Sequence, residues 1–156
     1  MKRPPKGWAD WSATPERFFD ALPEDWAVEA REIWPKLGPE SRILVYAPKA
    51  AFKAGGILTQ SLLPEMETYG ETARGYYRRG FWYVGFLYVH PKARGQGLGG
   101  QWLEQAWQAV PARGLWLGIE TLGLLKFYTQ SGFHLDHILH VGTEREWLLS
   151  RSRDGW

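Results

Sequence analysis

Cysteine and asparagine are both missing from the 156 residues, and methionine occurs twice. Without cysteine the chain has no disulfide, no thiolate zinc site and no thiol nucleophile. That suits a reducing compartment, and the expected location is the cytoplasm. A lack of Asn and Cys also suits a heat-tolerant protein, as it suits a skewed base composition in the gene. No apolar run approaches the ~18 residues of a membrane span, so no membrane partner is expected. The opening "MKRPPKGWADW" is basic, but no apolar stretch follows it and it does not read as a secretory signal. A net charge of +2 is too small to argue for nucleic acid. What is present is ordinary for a globular protein: 44% hydrophobic and 23% charged residues. The length favours a single domain over 1–156, and neither a repeat nor a linker divides it. Ten tryptophans are unusual.

The N-terminal part, 1–40, reads as helical. "TPERFFDAL" offers Thr14 as a cap, Pro15 in the first turn and Glu16 at the positive helix end. After Pro23, the residues Trp26, Ala30, Ile33, Trp34 and Leu37 recur at helical spacing, and Pro35 ends or kinks that run near Trp34. No first strand is legible in this part. "RILVYA" (42–47) and "GGILTQSLL" (55–63) read as strands. The segment between Pro64 and Gly80 is polar, has no clean period and is long for a turn. "FWYVGFLYV" (81–89) is the strongest strand, central and buried on both faces. Within it, Gly85 suggests a bulge or a close backbone approach. A helix from Leu98 stops at Pro111, "GLWLGIE" (114–120) is a strand, and 122–132 is a helix closed by Gly132. "FHLDHILHV" and "REWLLSR" form a final strand pair joined by "GTE".

Between the central strand and the next helix lies "HPKARGQGLGG". Glycines before a helix N-terminus let phosphate oxygens reach its unpaired N–H groups, and Arg94 adds a fixed charge at the mouth. Two registers compete. Gly95, Gly97 and Gly100 spell GxGxxG, a dinucleotide fingerprint, with Glu120 where a ribose ligand would stand. In that fold the strand runs almost directly into the first glycine, whereas here His90 to Arg94 intervene. The other register is R-x-x-G-x-G over Arg94, Gly97 and Gly99, preceded by L-x-V-x-P at Leu87 to Pro91. Together these resemble the acyl-CoA loop of the GNAT superfamily of acetyl-CoA-dependent N-acetyltransferases. A second block, "LWLGIETLGLLKFYTQSGF", is similar to the family's later segment, with Phe127-Tyr128 and Gly132-Phe133 in the corresponding places.

The resemblance covers 81–133 well and 42–63 loosely. It implies an α+β (α/β) class and a GNAT-type acyl-CoA acyltransferase fold, with a mixed, mostly antiparallel central sheet flanked by helices. It implies that 81–133 is the acetyl-CoA-binding core and that acetyl-CoA is the cosubstrate. The pantetheine arm would pair with the main chain of Leu87 and Val89, with Tyr88 between them. The pyrophosphate would sit on Gly95, Gln96, Gly97, Leu98, Gly99 and Gly100, beside Arg94. A helper position often held by Asn is Thr121 here, and Lys126 is a candidate for the 3′-phosphate region. Tyr128 matches the tyrosine that protonates the departing thiolate.

The base is harder to place, because the central strand carries no acid. Glu120, at the end of the next strand, is the first candidate, since those strands should splay near the thioester. Glu65 and Glu67 follow, then His90, and a water chain could serve instead. The acceptor would be a small-molecule amine, or the N-terminus or a lysine of a peptide or protein. Its surroundings would include Trp8, Trp11, Trp26, Trp34, Tyr69, Tyr76, Tyr77, Trp82 and Tyr83, most of them expected to be core packing. "YYRRG" (76–80) reads as a loop with solvated arginines. No metal site is expected, and a homodimer stays open. A non-catalytic acyl-CoA sensor is the alternative to an enzyme.

Overall fold

The structure, a computed structural model, describes residues 4–153. Residues 1–3 and 154–156, counted in the single-domain expectation, lie outside the described residues. The strands in chain order are β1 (Trp8–Asp10), β2 (Arg42–Tyr46), β3 (Ala54–Thr59), β4 (Phe81–Val89), β5 (Gly114–Ile119), β6 (His134–Val141) and β7 (Glu144–Ser152). The helices are α1 (Pro15–Phe19), α2 (Glu24–Ile33), α3 (Gly70–Arg78), α4 (Leu98–Ala109) and α5 (Leu125–Gln130). One sheet holds all of these strands in the order β1-β2-β3-β4-β5-β7-β6. Only β4 and β5 run parallel, because only they are joined by a crossover helix, α4. Every other pair is antiparallel.

Strand alternation sorts the core onto two faces. Ile43, Val45 and Ile57 meet Phe18, Ala27 and Ala30 of α1 and α2. Tyr83, Trp116 and Leu148 continue that face under α3, against Ala73 and Tyr76. The opposite face carries Leu44, Leu58, Val84, Leu115 and Leu117 against Trp102, Leu103 and Ala106 of α4. Gly55 and Gly56 let both layers close on β3. A Cβ at Gly55 would stand 2.8 Å from Phe18, and one at Gly56 would stand 2.7 Å from Trp102 on the other side. Trp102 is fully buried, and its indole N–H donates to the Leu44 carbonyl at 2.8 Å, which removes the cost of burying that donor.

Three stretches differ from the sequence expectation, the smallest being β3, which ends at Thr59 where a strand through Leu63 is expected. Residues 1–40 are not only helical, since β1 is a strand paired antiparallel with β2 over Trp8–Asp10. Its three residues are too few for periodicity to register, and the β2 edge supplies the pairing. Residues 64–80 are not a loop. A 3₁₀ segment, Pro64–Tyr69, leads into α3, which buries Ala73 and Tyr76 on one stripe. Gly70 and Gly75 lower its helical propensity and hid it, and tertiary packing supplies what propensity lacks. "YYRRG" is therefore the end of α3, with Arg79 over the Phe81 ring at 4.5 Å and Arg78 4.0 Å from Glu71.

Candidate active site

β4 and β5 separate soon after they meet. Their pairing covers Phe81–Tyr83 against Gly114–Trp116 and stops there. From Val84 onward, the side of β4 that would pair with β5 opens into a cleft of about 940 Å³. The splay expected near Glu120 is present. Leu87, Tyr88 and Val89 line the cleft from β4, and Arg94, Glu120, Thr121 and Tyr128 line it from later elements. The half of β4 beyond the seam is accordingly half-buried, where burial on both faces was expected for the whole strand.

A β-bulge shapes that half. Gly55 pairs with Tyr88 and Ile57 with Gly85, so Phe86 and Leu87 together oppose Gly56. Phe86 takes a left-handed φ of 55°, a strained conformation for a bulky residue. The extra residue resets the alternation. Leu87 then joins the α4 face, while Phe86 and Tyr88 join the α1–α2 face, where Trp26 meets both rings edge-on. The irregularity expected at Gly85 lies at the next two residues, Phe86 and Leu87.

The glycine turn ends at Gly97, the N-cap of α4, with φ 75°. Gly95 is also left-handed, at 78°, and a Cβ at either position would meet nothing within 4 Å. The glycines are thus required by backbone conformation, and they leave the approach to the helix end open. The first intrahelical bond runs from the Gln101 N–H to the Gly97 carbonyl. The N–H groups of Leu98, Gly99 and Gly100 precede it and have no intrahelical acceptor. Gln96 is exposed, Leu98 is buried, and Gly99 is held so close to Phe127 that a Cβ would stand 2.8 Å from its ring. Arg94 donates from Nε to the Val89 carbonyl at 3.1 Å and lies over the Tyr88 ring at 5.6 Å, which ties the turn to the end of β4. Lys126 is exposed on α5.

Tyr128 projects from α5 with its ring edge-on to Phe127 and Phe133. The helix closes behind it, with the Phe133 N–H on the Tyr128 carbonyl and Gly132 at φ 89°. Burial pushes the phenol up to about 12, so it holds its proton throughout the neutral range.

Four carboxylates from four segments line the same cleft: Glu29 of α2, Glu65, Glu120 and Glu146 of β7. Burial raises the Glu65 carboxyl, and the charges of Glu29 and Glu120 raise it further, against a hydrogen bond from the Tyr83 hydroxyl at 3.3 Å. Glu146 is pushed up to about 7, first by burial and then by the charge of Glu65. Glu120 is exposed at the end of β5. Of the other base candidates, Glu67 lines a separate groove of about 450 Å³ with Met66 and Leu37. His90 caps a turn, where its Nδ1 accepts the Lys92 N–H at 3.1 Å. Glu146 was not foreseen. The available signal was β7 itself, where Glu146, Leu148 and Ser150 alternate onto one face and put an acid in line with two buried residues.

Of the nine aromatics expected near an acceptor, Trp26 and Tyr83 line the cleft. Trp11, Tyr69, Tyr76 and Trp82 are buried in the core. Among the described residues, no group of three or more His, Asp or Glu side chains could hold a metal ion, and no helix is long and apolar enough to cross a membrane.

Residues 63–135 match the family model described as an acetyltransferase (GNAT) domain. These residues carry a GNAT acetyltransferase domain. The matched span takes in α3, the seam, the glycine turn and Tyr128. Among solved structures, the fold of the chain resembles that of a protein from Desulfovibrio desulfuricans assigned to the GNAT family. That pair has a TM-score of 0.68 and 11% identity, over 93% of this chain and 97% of the other. It also resembles an aminoglycoside 6′-N-acetyltransferase complexed with coenzyme A, at TM-score 0.65 and 11% identity, over 93% and 96% of the two chains. A third is the ribosomal-protein-S18-alanine N-acetyltransferase of Escherichia coli, at 0.57 and 16%, over 78% and 75%. At these identities the likeness is one of fold. In a search of curated proteins, no sequence matches.

Proposed function

We propose that this chain transfers an acetyl group from acetyl-CoA to a primary amine by direct attack of the amine on the thioester. The carrying observation is the cleft between the parted strands. One cleft holds unpaired β4 main chain, a phenol that keeps its proton and a group of carboxylates. The pantetheine arm pairs with the main chain of Leu87 and Val89, standing in for the ladder that β5 does not complete. Its pyrophosphate rests on the N–H groups of the turn from Gly95 to Gly100, with Arg94 beside it. Thr121, which lines the cleft, hydrogen-bonds the arm. A main-chain N–H of β4 polarises the thioester carbonyl as charge builds on its oxygen, and Tyr128 supplies the proton that the leaving sulfur needs. The coenzyme A in the aminoglycoside acetyltransferase complex supports the choice of cosubstrate.

The carboxylates favour a cationic acceptor. An amine is protonated at neutral pH, and Glu29, Glu65, Glu120 and Glu146 offer it opposite charge, with Trp26 as a cation–π wall. The described lining contains one basic residue, Arg94, which sits by Val89. Small polyamines and aminoglycosides are therefore the first acceptors to test, ahead of neutral or acidic peptides.

Two measurements test the reading. Isothermal titration should show CoA binding by the wild type and none by Gly97→Asp, while circular dichroism stays unchanged. Undiminished affinity in the variant would remove the turn from the site. Thiol release from acetyl-CoA should then rise with at least one amine of the panel. Tight CoA binding with no turnover on any amine, and Tyr128→Phe changing nothing, would leave a non-catalytic acyl-CoA sensor.

A further inference from the structure

We propose that Glu146 of β7 is the general base that takes the proton from the acceptor ammonium. This rests on the transferase reading above and assigns the residue that reading lacks. Three observations carry it.

The first is position. Gly118 lies two residues past Trp116, where β5 makes its last pair with β4, and Glu146 sits against Gly118. Glu146 shares the face of Tyr83 and Trp116, under α3, whereas Tyr128 packs with the α4–α5 face. Acid and base thus stand on opposite faces of the gap, and both line the cleft. Nucleophile and leaving group need this division, since nitrogen enters as sulfur departs.

The second is a built seat. A Cβ at Gly118 would collide with Glu146 Oε1, so the glycine is what admits the carboxylate against β5. The Tyr69 hydroxyl donates to the same oxygen at 3.4 Å. The third is surroundings. Glu65 faces the group from the 3₁₀ segment, Glu120 from the end of β5 and Tyr83 from β4, and Leu139 of β6 lies opposite it in register. Burial and those negative charges push the carboxyl up to about 7, against the pull of the Tyr69 hydrogen bond, which is where a base working at neutral pH is most effective. Glu120 is open to water, and Glu65 is engaged by Tyr83.

The proton balance closes. Glu146 takes one proton from the ammonium and returns it to water. The free amine attacks the carbonyl carbon, a C–N bond forms and the C–S bond breaks. The sulfur takes the Tyr128 proton, and the nitrogen's second proton restores the phenol. One proton is released per turnover.

The test uses the full chain with acetyl-CoA and three probe acceptors: spermidine, an aminoglycoside and an alanyl peptide. Wild-type kcat should fall on the acid side with an apparent pKa near 7. Glu146→Gln should lose about 10²-fold in kcat, keep its CoA affinity and lose that acid limb, while Glu146→Asp recovers part of the rate. Gly118→Ala should also lower kcat with CoA affinity kept, because its methyl displaces the carboxylate. A Glu146→Gln enzyme with wild-type kcat and an intact acid limb overturns the assignment, as does the limb disappearing in Glu120→Gln instead. A wild type inert toward every amine overturns the transferase reading itself, which is a different result from an active wild type indifferent to Glu146.

Discussion

Tyr128 and Glu146 are shifted in the same direction by the same cause, burial, with opposite chemical results. Raising a phenol to about 12 keeps a donor loaded; raising a carboxyl to about 7 makes an acceptor strong enough to compete for an ammonium proton. Tyr128→Phe should cut kcat by about 10²-fold with CoA affinity nearly unchanged, and the wild type should show no Tyr128 titration in its rate profile up to about pH 11. Steady-state kinetics across pH, alongside calorimetric CoA titration, checks both; a wild-type rate in the variant would remove Tyr128 from the reaction. At this scale the sequence was legible where a motif fixed a residue to a turn. The motif singles out Tyr128 and Arg94 as candidates, and both line the cleft. Glu146 is not among them, because its meaning comes from a glycine 28 positions earlier that only sheet register brings beside it.

At the scale of elements, the glycines of β3 and α3 make opposite demands. Gly56 is filled against: a methyl there would meet the Trp102 ring at 2.7 Å, and Trp102 is anchored to the Leu44 carbonyl. Gly56→Ala should cost about 1–3 kcal/mol. Gly75, within α3, has nothing within 4 Å of its missing Cβ, and Gly75→Ala should stabilise by about 0.5–1 kcal/mol. Urea midpoints of the two variants should move in opposite directions, and a shared direction would contradict this account. The same contrast explains what sequence could and could not give. β2, β3, β4, α4 and the β6–β7 pair were legible because runs of β-branched and aromatic residues, or a 3.6-residue stripe, carry their own period. α3 was not, because two glycines interrupt its stripe, and β1 was not, because three residues have no period at all.

For the whole molecule, the acidic cleft sits in a chain of net charge +2. The carboxyls of Glu65 and Glu146 are held above their ordinary values, so the folded state binds protons that the unfolded chain has already released. Their stabilising contribution is complete below the unfolded carboxyl range. It is lost as pH rises through about 7, the folded value of Glu146. The drop in melting temperature between pH 5 and pH 8 should therefore be smaller in Glu146→Gln than in the wild type. Equal drops in the two proteins would refute the linkage. Such a cluster, destabilising at neutral pH, is what a site built for function rather than stability looks like.

The three-pair seam between β4 and β5 has a mechanical meaning. The sheet is two half-sheets, β1–β4 and β5–β7, stitched at one end and bridged by α4. In the proposed binding mode, acetyl-CoA along β4 would supply the missing rungs of that ladder and work as a rivet. Each round of release would then loosen the protein along the line where its own stitching is three residue pairs long.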